Sequence, residues 1–170
     1  MDVNAEMIKG LREKTGAGVM SCRNALIQSQ GDIEKALQIL KEQNLVQVEK
    51  KAKRITGQGL IASYVHAGGR IGVVIEVNCE TDFVARTDEF KELTHNLAMQ
   101  VAALAPVCVT KEDLPQGFDG DPQTAILLSQ PYIRDTTRTV QDIVNETIAK
   151  TGENIKIKRF TRYEVGEETK

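Results

Sequence analysis

Cys79, Asp82 and His95 can be written as a nucleophile, an orienting acid and a base. Thiolate chemistry needs a base or a positive charge held against the sulfur. Nothing in the sequence orients these three residues, and Cys79 reads more simply as the end of a strand. The three cysteines, Cys22, Cys79 and Cys108, are odd in number and widely separated, with no C-x-x-C pair and no zinc spacing. They read as free thiols of a reducing compartment. With only two histidines, His66 and His95, no protein-made metal site is expected. Gly16-Ala17-Gly18 and Gly57-Gln58-Gly59 follow helical stretches rather than strands, and no G-x-x-x-x-G-K-[ST], G-x-S-x-G or H-E-x-x-H occurs. The reading is of a non-enzyme without a cofactor.

The remaining unusual stretch is Asn78-Cys79-Glu80-Thr81-Asp82-Phe83-Val84-Ala85-Arg86. It joins a strand-like run, Arg70 to Val77, to an amphipathic helix that begins near Thr87. Such a connection is normally polar, yet this one holds one of only four phenylalanines in a chain without tryptophan. Either the loop folds back to bury Phe83, which spacing alone favours, or it presents Phe83 to a partner. A rigid aromatic beside a charge is what interface hot spots use.

Composition sets the class. At 41% hydrophobic and 27% charged residues the chain is an ordinary globular protein. No apolar run approaches the roughly 18 residues that a membrane helix needs, and the acidic N-terminus carries no secretory signal. Net charge is −2, so no global positive field recruits nucleic acid. Residues through Arg54 hold ten Lys/Arg against seven Asp/Glu, largely through Lys50-Lys51-Ala52-Lys53-Arg54. This run reads as a solvated helix end; RNA or ribosome binding through it is the alternative function.

Residues 1–45 read as three short helices: one capped by Asn4 and stopped at Gly16, one from Val19 to Gln30 with Cys22, Ala25 and Leu26 inside, and one capped by Asp32. Residues 46–56 read as a charged helical linker, and 57–170 as an α+β core. In that core Leu60 to His66 and Arg70 to Asn78 form a hairpin over a Gly68-Gly69 turn, with Ile71, Val73, Ile75 and Val77 on the inner face. Thr87 caps a helix whose Phe90, Leu93, Leu97, Val101 and Leu104 cover the sheet, ended by Pro106. Val107 to Thr110 suggests a short strand and Ala125 to Leu128 a helical turn. A helix from Val140 to Lys150 precedes a last strand, Asn154 to Val165. There Ile155, Ile157, Tyr163 and Val165 share a face and Arg159 marks a bulge. Gly166 onward is a charged tail. The fold class is α+β: a helical N-terminal bundle, then a small, mainly antiparallel sheet covered by helices.

Leu11-Arg12-Glu13-Lys14-Thr15-Gly16-Ala17-Gly18-Val19-Met20, followed by Cys22-Arg23-Asn24-Ala25-Leu26, resembles the N-terminal, ubiquitin-associated-like (UBA-like) module of the elongation factor Ts family. Glu76 to Arg86 resembles that family's signature loop. Gln130-Pro131-Tyr132, Thr151-Gly152-Glu153-Asn154-Ile155 and Arg162 to Glu167 are similar to its C-terminal blocks. The resemblance implies guanine-nucleotide exchange on elongation factor Tu, with no bond chemistry. It implies a wedge of Thr81, Asp82, Phe83 and Val84 that dislocates the partner's Mg²⁺, and a partner-binding set of Arg12, Val19, Met20, Cys22, Arg23 and His66. Family members often have Met where Val19 stands. The chain departs from longer members in its single core and in the short Gly/Pro-rich link between Leu114 and Gln130. The single core implies a dimerisation-type domain and a homodimer that rebuilds the missing half. No direct nucleic-acid contact and a cytoplasmic setting, bacterial or in an organelle matrix or stroma, complete the expectation.

Overall fold

The computed structural model describes residues 3–167; the end of the charged tail, 168–170, lies outside the described residues. Asn4 Oδ1 accepts from the Met7 amide at 2.9 Å and starts α1 (Ala5–Thr15), which ends at Gly16 in the left-handed region, φ 66°. α2 spans Val19–Gln28, and Asp32 caps α3, Ile33–Lys51. Leu11, Cys22, Ala25, Leu26, Ala36 and Leu40 form a small core of their own. No Gly or Pro interrupts Ile33 to Lys51, so the third helix and the first part of the helical linker are one 19-residue element.

The second unit begins with β1 (Gln58–Val65) and β2 (Ile71–Cys79), joined through Gly68 and Gly69, both at positive φ. Next come a one-turn helix α4 (Asp82–Ala85) and the long α5 (Asp88–Leu104). Then follow α6 (Pro122–Ala125), β3 (Pro131–Tyr132), β4 (Asp135–Thr139), α7 (Val140–Thr151) and β5 (Lys156–Glu164). The main sheet is antiparallel in the order β1-β2-β5. Val73, Ile75, Val77 and Cys79 of β2 face inward with Phe90, Leu93, Leu97 and Val101 of α5 and Val140, Val144 and Ile148 of α7. The capping by Thr87 and the inner face of β2 agree with the sequence pattern. Leu104 does not: it is the last residue of α5 and is exposed. At Gly59, φ 148°, a side chain would strike the Val77 carbonyl of the neighbouring strand.

Glu76 pairs with Arg159 and Val77 with Ile157, so Lys158 is the extra residue of a bulge in β5. The bulge inverts the alternation that follows it. Phe160 packs against the core, whereas Tyr163 and Val165, expected on the inner face, are exposed. With Ile61, Val65 and Val74 they leave the outer face of the sheet uncovered and apolar; Ile61 is 70% exposed and Tyr163 67%.

The link from α5 to α7 departs furthest from expectation. Val107 to Thr110 is no strand; Cys108 makes a single parallel bridge to Ile126. Ile126 is extended and divides the expected helical turn into α6 and a 3₁₀ turn at Leu127–Ser129. The small β3–β4 hairpin was not expected, because Asp135-Thr136-Thr137-Arg138-Thr139 shows no apolar alternation. Two buried glutamines fasten this link to α5. Gln100 donates to Gln130 Oε1 and to the Pro131 carbonyl, each at 3.1 Å, and accepts from the Ile133 amide at 2.9 Å. Gln130 donates to the Thr124 carbonyl at 2.6 Å. Such a network holds only while its members remain paired.

The helical module docks on α7. Lys41 reaches Asp142 at 3.5 Å, and the Lys150 stem lies over Gly16. Glu146 accepts from Lys150 at 2.7 Å and from Arg138. Burial raises the Glu146 pKa, but the hydrogen bonds and charges of Lys150 and Arg138 outweigh it and hold the carboxyl below its ordinary 4.5. A depressed folded-state pKa stabilises above the unfolded value and is lost as pH falls through the folded one. Glu146→Gln should therefore lower the melting temperature at pH 7 by an amount equivalent to about 1 kcal/mol. That deficit should shrink steadily below pH 4.5, as followed by thermal denaturation across pH 7 to 3.

Candidate functional site

The turn between β2 and α5 is built from hydroxyl caps. Thr81 Oγ1 accepts from the Val84 amide at 3.4 Å and starts α4. Thr87 donates to the Val84 carbonyl at 2.8 Å and accepts from the Phe90 amide at 3.3 Å, closing α4 and opening α5 with one side chain. A four-residue helix has no intrinsic stability; this one is held by those caps and by Val84 and Ala85, which enter the main core. The opposite side carries Asp82 and Phe83. Asp82 pairs with Arg86 at 2.7 Å near the surface. Phe83 is 78% exposed. The burial that spacing alone favoured does not occur, because Val84 and Ala85 occupy the inner half of the turn.

The turn is also braced from below. Glu153 Oε2 accepts from the Glu80 and Thr81 amides at 3.1 and 3.0 Å, and Oε1 accepts from the Thr81 hydroxyl at 2.6 Å. In return Glu80 Oε1 accepts from the Asn154 amide at 2.7 Å and from Arg54 at 3.4 Å. Asn154 Nδ2 donates to the Ala52 and Arg54 carbonyls at 3.4 and 2.9 Å. The ends of α3, β2 and α7 thus meet under the turn. Sequence reasoning quoted Glu153 only within a similar block. Its one local signal is its place directly after Gly152, the left-handed cap of α7.

On the helical module Arg12, Val19, Met20 and Arg23 are all exposed. Ile27, seven residues after Met20 and also exposed, extends the face along α2. Cys22 does not belong to that face. It is fully buried, with Sγ 3.7 Å from the Ala17 carbonyl, because it lies one helical position inward of Arg23. His66 is exposed and bonds Tyr64 through Nδ1 at 3.1 Å. It follows β1 at the hairpin turn, whereas Gln58 at the other end of β1 pairs with Cys79. About 3.3 Å of rise per residue therefore separates His66 from the Phe83 turn by most of the strand's length.

Cys79, His95 and Asp82 each take other partners. The Cys79 thiol donates to the Thr81 carbonyl at 3.1 Å, and burial, followed by the nearby Glu153 carboxylate, pushes its pKa up to about 11. His95 packs edge-on against Tyr64 instead. Among the described residues no three His, Cys, Asp or Glu side chains are placed to hold a metal ion, and no helix is long and apolar enough to cross a membrane.

The family model described as Elongation factor TS matches residues 20–125, which include the hairpin, the braced turn and α5. The chain belongs to the Elongation factor Ts family. It is 50% identical to Elongation factor Ts of Thermotoga neapolitana over 196 positions that cover 99% of this chain and all of that relative. It is 48% identical to that of Thermotoga maritima, covering 98% of each, and 46% identical to that of Moorella thermoacetica, covering 97% and 96%. An alignment of 196 positions against 170 residues means that the Thermotoga neapolitana relative carries residues with no counterpart here.

All three thiols are free and buried. Native protein at pH 8 should therefore react with a thiol-specific chromogenic disulfide far more slowly than protein in denaturant, Cys79 slowest of all given its raised pKa.

Proposed function

We propose that this chain is a guanine-nucleotide exchange factor for elongation factor Tu, acting by contact and not by bond chemistry. The observation that carries this reading is Phe83, left 78% exposed on a turn whose other side is locked into the core. Burying a phenylalanine yields roughly 1.5–3 kcal/mol, and this fold forgoes it. A partner cleft that accepts the ring recovers it. In the family's manner, Asp82 and Phe83 enter between helices of the GTPase's nucleotide domain and dislocate its Mg²⁺. Thr81 and Val84 shape the wedge from within. Mg²⁺ bridges phosphate oxygens to that protein, so moving it weakens the nucleotide. By linkage, nucleotide weakens the exchange factor's hold by the same factor, and the relative abundance of GTP sets the direction.

Arg12, Val19, Met20 and Arg23, extended by Ile27, form the grip of the UBA-like module on the same partner, with His66 as a separate outlying contact. The Arg54 guanidinium pairs with Glu80, and an RNA contact by this residue of the basic run would compete with that pair. The bacterial relatives point to a cytoplasmic translation factor. A second copy of the chain covers the outer sheet face, where Ile61, Val65, Val74, Tyr163 and Val165 are exposed and a single core has no second half of its own.

Two measurements test this. Release of labelled GDP from elongation factor Tu should be accelerated by the wild-type chain. Asp82→Ala and Phe83→Ala should each reduce that acceleration about tenfold or more, the scale of a lost hot spot; equal rates in all three proteins would sink the wedge. Ile61→Glu combined with Val74→Glu should sediment as a monomer at concentrations where wild type is a dimer, since each places a charge in an apolar interface.

A further inference from the structure

We infer that Glu153 is the positioning residue of the wedge: its carboxylate fixes the Glu80–Thr81 turn so that Asp82 and Phe83 project in one direction. This rests on the exchange-factor reading above.

The geometry singles out Glu153 by what its two oxygens do. Oε2 takes both backbone amides that leave the end of β2, at 3.1 and 3.0 Å. Oε1 takes the Thr81 hydroxyl proton at 2.6 Å. With that proton committed, the Thr81 oxygen is left with its lone pairs for the Val84 amide, the bond that starts α4. One carboxylate therefore sets the exit direction of the strand and the orientation of the next turn's cap, while touching neither Asp82 nor Phe83. The fold itself does not require a carboxylate there. Glu153 is only half-buried and lies outside the hydrophobic cluster, and the amides it holds lie past the last ladder pair of β2 in a part-buried setting. What its loss removes is aim. A wedge misplaced by about 1 Å loses most of its effect.

The test follows GDP release from elongation factor Tu against concentration of wild type, Glu153→Ala, Glu153→Gln and Phe83→Ala, with amide hydrogen exchange on each free protein. Glu153→Ala should lower the maximal release rate about tenfold and shift the half-saturating concentration far less, since the α2 face is untouched. Glu153→Gln, which keeps one acceptor oxygen, should fall between. Exchange at the Glu80 and Thr81 amides should quicken in both, with β2 and β5 still protected. An unchanged maximal rate in Glu153→Ala beside an impaired Phe83→Ala overturns the inference and leaves the exchange reading standing. Loss of protection throughout β2 and β5 overturns it too, by making Glu153 a general stabiliser; should Glu153→Ala not fold, Glu153→Gln decides by the same criteria. Normal release by Phe83→Ala removes the wedge and this inference together.

Discussion

Glu80 and Glu153 each hold the backbone of the other's turn. Glu153 collects the amides after β2, and Glu80 collects the amide before β5 together with Arg54 at the foot of α3. Chain reversals at the end of a sheet leave amides without ladder partners, and water is their default acceptor. Ionised carboxylates replace water with shorter, stronger and directional bonds. Because the exchange is mutual, neither turn can shift alone. Asn154 extends the arrangement to the Ala52 and Arg54 carbonyls, so the segment that carries the helical module enters the core at a defined place. Asn154 itself is buried, so its bonds to that segment compete little with solvent.

The consequences show in which apolar groups stay outside. Val84 and Ala85 are drawn in, so Phe83, on the same helical turn, must point out. The bulge at Lys158 turns Tyr163 away from the core and adds it to the outer sheet face. On α2, Cys22, Ala25 and Leu26 fill the small core and leave Val19, Met20 and Ile27 on the far side. Three separate surfaces forgo burial, while among the described residues the acids with lowered pKa serve helix caps, the Asp135 turn and ion pairs. The proposed contacts with other molecules fall on these exposed apolar residues.

Much of this was legible in the sequence. Period-two alternation in Ile71 to Val77, the Gly68-Gly69 turn, Thr87 as a cap and the stripe of α5 are local signals, and each has its local outcome. Three features depend on residues far apart in the chain. The β3–β4 hairpin is polar and depends on Gln100 and Gln130, thirty residues apart. The inverted face of β5 depends on where one extra residue falls in a cross-strand register, which Arg159 hinted at but whose consequence for Tyr163 only pairing reveals. The Glu80–Glu153 exchange joins residues 73 apart, and no periodicity carries that. Phe83 was ambiguous for a related reason: its exposure is decided by its neighbours' claim on the core. Cys22 carried two readings, inner helix position and contact residue; its helical spacing with Ala25 and Leu26 was the better guide.

The dimensions of α4 follow from its proposed work. A flexible loop offering the same phenylalanine would first have to be ordered by the partner, and that entropy would be subtracted from the free energy available to displace the ion. A long helix would be rigid but would spread its contact over several turns. A single helical turn is short enough to enter a cleft, yet cannot persist by itself. Its persistence is supplied from outside: by Thr81 and Thr87 at its two ends, by Val84 and Ala85 beneath, and by Glu153 under the strand that delivers it. The ordering cost is met when the chain folds, so in the proposed reading contact free energy at Phe83 goes into deforming the partner and not into shaping the wedge.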